Sequence, residues 1–224
     1  MFCFLISSSV ALPLGPAVIT SPVDGQVISS GLDSYPFAAS GLLNSRAYII
    51  TAGRINFNSN SNSNGVISQR IYIAGEPDGP LTISLYRRSD GTTISINVIK
   101  DTVTTGAITS PANSGYVQNS LTITGTGEVG ATVTLSISDS STQTANIVTY
   151  VVVPASGEWS TTVSISSQDD GLITVAPTFV DTAGNTLSPN SKTITKDTLP
   201  PAGAITAPAN GNTVQNSVTV TGTG

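Results

Sequence analysis

The chain has 224 residues, of which only 9% are charged, and its 13 Asp and Glu outnumber its 8 Lys and Arg to give a formal net charge of -5. A typical domain carries about 25% charged residues, so Ser, Thr and Asn must solvate this surface, and so few cations cannot neutralise the phosphates of a nucleic acid. The sequence has no His and a single Cys, which excludes His/Cys zinc sites, Ser-His-Asp and Cys-His catalytic systems and an intramolecular disulfide.

Residues 1–16 form an apolar leader, MFCFLISSSVALPLGP. It is shorter than the ~20 residues that cross a bilayer, so we predict no membrane span. It is similar to the apolar core of a secretory signal, with Ala11 near a plausible processing point. Because no Lys or Arg precedes it, a degraded or mis-started signal peptide and a partial strand of an upstream repeat stay open as alternatives.

An internal repeat organises the rest of the chain. The segment KDTVTTGAITSPANSGYVQNSLTITGTG begins at Lys100 and recurs from Lys196 as KDTLPPAGAITAPANGNTVQNSVTVTGTG. A fainter copy, ITSPVDG, begins at Ile19. We therefore predict a leader at 1–16, a divergent repeat at 17–102, a complete repeat at 103–199 and the first strands of a truncated repeat at 200–224. About 25 residues cannot close a core, so we expect a piece of a longer array.

Period-2 alternation in the second repeat predicts short strands. In Leu121 to Thr124 and Val133 to Ile137, apolar residues alternate with Thr or Ser, which gives each run one apolar face. About seven such strands, with turn residues every 8 to 12 positions and no helical periodicity, are typical of an immunoglobulin-like sandwich. We predict an all-β protein of tandem immunoglobulin-like β-sandwich domains with about seven strands each. The core of the second repeat is predicted to contain Leu121, Ile123, Val133, Leu135, Trp159, Val175 and Phe179.

Trp159 and the pair of Asp169 and Asp170 could each suggest a functional site, but we expect a structural role for them. Trp159 is the only Trp, and we expect it to fill the space that a disulfide takes in antibody domains; the alternative is an exposed platform for a sugar ring. Asp169 and Asp170 are adjacent carboxylates, but neighbouring residues point in different directions, so we expect a turn there instead of an acid-base pair.

Four motifs of the second repeat carry a family resemblance. They are the GATVT turn and strand from Gly130, the GEW of Gly157 to Trp159, the DTAGN turn from Asp181 and the KDTLPP linker from Lys196. Together they resemble the bacterial Ig-like repeats of giant surface adhesins and biofilm-associated proteins. The first repeat matches less well, because it lacks the GxW. The resemblance implies a non-catalytic extracellular spacer at the bacterial cell surface, in adhesion or in a biofilm matrix, with neighbouring repeats of the same chain as its partners.

Calcium is the one cofactor with a physical rationale. The ion takes six to eight oxygen ligands from carboxylates, carbonyls and water, and the resemblance implies that junctions between repeats are stiffened by it. The candidate ligands are Asp101 at the first linker, Glu128 and Asp181 in loops expected at one pole, and Asp197 at the second linker. The alternative is that the three Asp side chains only hydrogen-bond their own turns.

The first repeat offers a different function. Its polar tract NFNSNSNSN, Asn56 to Asn64, predicts an extended exposed loop, and recognition on a rigid sandwich commonly lies in loops. The alternatives to a spacer are therefore a module that binds host or matrix glycans or proteins through this repeat, and an accessory sandwich of a secreted enzyme. The surface would combine the tract with Arg46, Arg54, Arg70, Tyr48 and Tyr72.

Overall fold

The computed structural model describes residues 16–29, 34–141 and 144–224, and these form strands and turns without any helix. Within these ranges there is accordingly no helix long and apolar enough to cross a membrane. The predicted signal segment lies almost entirely outside them. The chain divides into two compact units: unit one runs to Thr105 and includes Glu128–Thr132 and Phe179–Leu187, and unit two contains Gly106–Gly127, Val133–Thr178 and Ser188–Gly224. The predicted segment boundaries stay predictions.

Unit one is a sandwich of two sheets. Its strands are β1 (Val18–Ser21), β2 (Val27–Ser29), β3 (Ser34–Ser40), β4 (Ala47–Ala52), β5 (Ile55–Asn60), β6 (Ile67–Tyr72), β7 (Gly79–Arg87) and β8 (Thr93–Asp101). One sheet has the order β1-β3-β6 and the other β2-β8-β7-β4-β5. Inward side chains of both sheets, such as Phe37, Ile50, Ile71 and Ile83, are almost completely buried in one core, as the alternation of apolar residues requires.

The strands after Thr105 repeat this topology and lie in unit two, apart from the segments Glu128–Thr132 and Phe179–Leu187, which belong to unit one. The following strands are β9 (Gly106–Ser110), β10 (Tyr116–Val117), β11 (Ser120–Gly127), β12 (Thr132–Ser138), β13 (Ile147–Val152), β14 (Glu158–Ser164), β15 (Gly171–Val180), β16 (Thr186–Leu187), β17 (Lys192–Lys196), β18 (Ala204–Ala207) and β19 (Thr221–Thr223). The sheet orders β9-β11-β14 and β10-β17-β15-β12-β13 correspond to those of unit one, with β16 added as a further partner of β15. Strands β18 and β19 form a separate two-stranded sheet. The chain is therefore all-β, with tandem β-sandwich domains, as predicted.

The core predicted for the second repeat is confirmed, because all seven residues named for it are buried. Trp159 is only 3% exposed, so it is a core residue and the sugar-platform alternative is wrong. In β14 its neighbours Glu158 and Ser160 face outward, which is the alternation expected of a strand with one buried face.

The prediction of a loop over the asparagine tract is wrong for its first half. Residues 56–60 lie in β5, which pairs with β4 in antiparallel register. Phe57 packs against the core of unit one, whereas Asn56, Asn58 and Asn60 face solvent. The strand was not predicted because its outward side chains are all polar. Ile55 and Phe57, which face inward, are its only large apolar side chains.

Each of the two units has its own ion pair between a buried lysine and a partly exposed aspartate at the ends of corresponding strands. In unit one, Lys100 Nζ lies 3.0 Å from Asp78 Oδ1, and in unit two Lys196 Nζ lies 2.8 Å from Asp170 Oδ1. Both lysines belong to the repeated KDT motif. Asp170 therefore stabilises the fold, as expected of a turn residue, instead of forming an acid-base pair with Asp169.

Candidate metal centre

Three of the four predicted calcium ligands lie together in unit one. Carboxylate oxygens of Asp101, Glu128 and Asp181 are all within 4.8 Å of one another. Asp101 is the last residue of β8, Glu128 lies in the turn between β11 and β12, and Asp181 directly follows β15. Three segments distant in sequence thus present acidic side chains to one point.

Local hydrogen bonds fix the two loops that carry Glu128 and Asp181. The Glu128 N–H donates to the Thr105 carbonyl at 3.1 Å, and the Ala131 N–H donates to the Glu128 carbonyl at 3.0 Å. In the DTAGN turn, the Asn185 N–H donates to Asp181 Oδ1 at 2.8 Å, so Asp181 also caps its own turn. The turn-residue alternative and the ligand hypothesis are compatible for Asp181, because a carboxylate oxygen that accepts one hydrogen bond keeps a second lone pair for a cation.

Asn185 joins the cluster and was missed by the sequence analysis. Its Nδ2 donates to Asp181 Oδ2 at 2.8 Å and to Asp101 Oδ1 at 3.0 Å. The amide thus bridges two carboxylates that would otherwise repel each other. The only sequence signal is its place at the end of the DTAGN turn, and an Asn at a turn end is too common to indicate a site.

The cluster concentrates negative charge. Burial raises the pKa of Asp101, and the nearby Asp181 and Asp78 raise it further. Burial also raises the pKa of Glu128, with Asp101 and Asp181 adding repulsion. Among the described residues, no Lys or Arg forms an ion pair with Asp101, Glu128 or Asp181. A cation at this point would relieve the repulsion.

A buried hydroxyl completes the oxygen-rich environment. Thr104 is 8% exposed, and its Oγ1 has no hydrogen-bond partner of ordinary geometry among the described residues. It lies beside the Glu128 carboxylate, where it opposes the rise in the pKa of that group. The candidate ligand atoms of Asp101, Glu128 and Asp181 are carboxylate oxygens, which suit Ca²⁺ better than zinc or copper.

Asp197 does not belong to this cluster. Its N–H donates to the Val117 carbonyl at 2.9 Å, and its Oδ1 accepts the Leu199 N–H at 3.0 Å. Asp197 is the counterpart of Asp101 in the repeated KDT motif. The Asp197 carboxylate therefore hydrogen-bonds its own segment of backbone in this structure.

The binding surface predicted around the first repeat does not form as one patch. Tyr48 is buried in the core of unit one and its hydroxyl accepts the Leu43 N–H at 3.1 Å, so its predicted exposure is wrong. Arg46 and Arg54 lie beyond opposite ends of β4. Arg70 and Tyr72 lie on β6, in a different sheet from the asparagines of β5.

No protein-family model matches this sequence, and no curated protein is similar enough to count as a relative. Among solved structures, the chain is similar to the fibronectin(III)-like modules of Clostridium thermocellum CbhA, at 18% identity and a TM-score of 0.39 over 81% of this chain and 94% of that one. It is also similar to a biofilm-associated protein BSP domain, at 19% identity and a TM-score of 0.28 over 79% of this chain and 30% of that one. Chicken CNTN1 FN1-FN3 domains match at 10% identity and a TM-score of 0.35, over 77% and 62% of the two chains. Likeness at this level assigns neither ligand nor function.

Proposed function

We propose that the chain is a non-catalytic, extracellular repeat segment of a bacterial surface adhesin, in which Ca²⁺ bound by Asp101, Glu128 and Asp181 stiffens a structural spacer. The convergence of these three carboxylates, with no Lys or Arg paired to them in the described part of the chain, is the observation that carries the proposal. Its wider setting, at the cell surface or in a biofilm matrix, is supported by the repeated sequence, by the near-absence of thiols that suits an oxidising compartment and by the family resemblance.

Calcium binding at this point would be linked to folding. The unfolded chain does not hold the three carboxylates together, because they come from the end of β8 and from two separate loops. A ligand that binds only the folded state stabilises it in proportion to its concentration above Kd. The ion would therefore tie the end of β8 to both loops and make them harder to separate.

The full chain is expected to unfold at a higher temperature in a few millimolar Ca²⁺ than in excess chelator. A site with Kd of about 10⁻⁴ to 10⁻³ M adds roughly 1 to 2 kcal/mol, which is several degrees for domains of this size. Glu128→Gln and Asp181→Asn should each abolish the shift. Asp197→Asn is the matched control and should keep it, because Asp197 lies outside the cluster.

Acid should compete with the ion. The raised pKa values of Asp101 and Glu128 mean that the folded state binds protons more tightly than the unfolded state, so in chelator these groups favour folding as pH falls. The calcium shift should shrink over the same range as the ligands become protonated. A shift that persists in Glu128→Gln, or that Asp197→Asn removes, would contradict the proposed site.

A second candidate function, binding of an acidic glycan, is favoured by a shallow depression on the outer face of the β4, β5 and β7 strands. It is lined in part by Tyr86, Arg88, Asn56 and Asn58. Arg88 Nη2 donates to Asn58 Oδ1 at 2.7 Å, which holds the guanidinium over the sheet. An exposed aromatic ring beside amide groups and a cation can stack a sugar, bond its hydroxyls and pair with its carboxylate.

Tyr86→Ala and Arg88→Ala should each weaken retention of the full chain on immobilised acidic oligosaccharides, measured by surface plasmon resonance. Loss of an aromatic or charged anchor that is a hot spot costs over about 1 kcal/mol, or more than about fivefold in affinity. Tyr72→Ala is the control, since Tyr72 is an exposed tyrosine of unit one outside the depression. Equal loss in the control, or no retention of the parent chain, would remove this candidate.

A further inference from the structure

Strand β13 presents an apolar row at the open edge of its sheet. It is the last strand in the order β10-β17-β15-β12-β13. Its outward side chains Val148, Tyr150 and Val152 are 50%, 67% and 60% exposed. An edge strand leaves alternate N–H and C=O groups unpaired, and natural proteins usually protect such an edge with charge, proline or a bulge. The segment Ile147–Val152 contains none of the charged or proline residues that serve this purpose.

The corresponding strand of unit one shows that the fold does not require this row. β5 occupies the same edge position and has the same alternation of half-buried and exposed residues. Its outward side chains are Asn56, Asn58 and Asn60. Both strands therefore fit the same edge, one with amides facing solvent and the other with Val, Tyr and Val.

We infer that β13 is a self-association site, at which two copies of this chain pair their β13 edges in antiparallel register about Tyr150. The inference concerns copy-to-copy contact and does not depend on the calcium site. The occupant must be an extended strand, because only a strand can meet the spaced N–H and C=O groups of the edge. It must also be apolar on one face and uncharged.

A second copy of β13 meets these requirements by symmetry. The sequence around the centre is V-T-Y-V-V, so a two-fold axis at Tyr150 places Val148 of one copy opposite Val152 of the other and the two Tyr150 rings across from each other. Such isologous contacts are self-complementary and close at two copies. Opposite residues in antiparallel strands have Cβ atoms about 5 Å apart, which is within contact distance for these side chains.

The contact is expected to be weak. A single short strand buries less area than the roughly 1,200 Å² of a stable complex, so dimers should appear only at high micromolar concentrations. Many copies on facing surfaces would bind more strongly by avidity. A spacer with this property would connect to other copies of itself along its length.

Sedimentation equilibrium of the full chain, from low to high micromolar concentration, tests the inference. We expect a reversible monomer-dimer equilibrium that is the same in Ca²⁺ and in chelator. The combined variant Val148→Asn, Tyr150→Asn, Val152→Asn copies the outward row of β5 and should stay monomeric, with an unchanged circular dichroism spectrum. Tyr116→Asn, which removes a tyrosine of unit two that is even more exposed than Tyr150, should still dimerise.

Disulfide trapping tests the register independently of the asparagine variant. In a Cys3→Ser background, Tyr150→Cys should cross-link on oxidation much faster than Tyr116→Cys. A parent chain that is monomeric at all concentrations overturns the inference, even if β13 captures a foreign peptide. Dimerisation that survives the triple substitution, or cross-linking that is equal at both positions, overturns it as well.

Discussion

Replacing Trp159 with Ala is expected to lower the free energy of unfolding by about 3 to 5 kcal/mol, the usual range for truncating a fully buried aromatic residue. The indole is almost completely buried, and its Nε1 donates to the Thr126 carbonyl at 3.1 Å. The substitution removes both the packing and the partner of that carbonyl. Urea unfolding of the full chain, monitored with a probe that reports on unit two, measures this loss of stability. A loss below about 1 kcal/mol would mean that the ring does not pack in the core.

Gly125 makes the position of the indole possible. Gly125 and Trp159 lie directly opposite each other on β11 and β14. A Cβ added to Gly125 would clash with both the Ala107 carbonyl oxygen and Trp159 Cζ2, so Gly125→Ala must displace the ring or the strand. Gly115→Ala is the control, because its added Cβ would have only an ordinary 3.5 Å contact.

In unit one, a different pair of residues occupies the corresponding position of the sheet. There Ala39 lies opposite Ile67 on β3 and β6, and both are buried. Glycine, which has no side chain, faces tryptophan in unit two, whereas alanine faces the smaller isoleucine in unit one. The double variant Gly125→Ala, Trp159→Ile should therefore lose less stability than the sum of the two single variants, since contacting residues are not additive. If the two stability losses are strictly additive, the side chains at positions 125 and 159 do not compete for the same space.

The sequence predicted the class of fold because its alternation is regular. Period-2 runs such as Val133 to Ile137 define which side chains enter the core, and burial follows from that pattern alone. The pairing of Gly125 with Trp159 could not be predicted, because it depends on the register between β11 and β14. The register is fixed by packing across the sheet and by turn geometry, and neither is visible in one strand.

The candidate metal centre was also predictable only in part. Asp101, Glu128 and Asp181 were indicated by charge in loops of an otherwise uncharged chain. Asn185 and Thr104 carry no such signal, since uncharged polar residues are abundant here. Their roles arise only from tertiary contacts, a bridge between two carboxylates in one case and a buried hydroxyl in the other.

Replacing Asp170 with Ala is expected to destabilise unit two more than replacing Lys196 with Met. The Lys196 side chain is 5% exposed, and an unpaired buried cation is far more costly than an apolar residue of similar length. Asp170 also accepts the N–H and hydroxyl of Thr198 at 3.1 and 2.7 Å, so its loss frees the linker as well. Thermal unfolding should show a drop of several degrees for Asp170→Ala and a smaller change for Lys196→Met.

The pH dependence of unfolding separates this ion pair from simple loss of packing. The hydrogen bond from Lys196, aided by those from Thr198, lowers the pKa of Asp170 to about 2. A carboxyl whose pKa is lower in the folded state contributes stability above its unfolded pKa, and this contribution disappears as pH falls toward the folded value. Between about pH 4 and pH 2, the parent chain should therefore lose more stability than Asp170→Asn does. If the two proteins lose the same stability as the pH falls, this account is contradicted. The effect of Asp170 would then come from its hydrogen bonds with Thr198, which the amide oxygen of the Asp170→Asn variant can also accept.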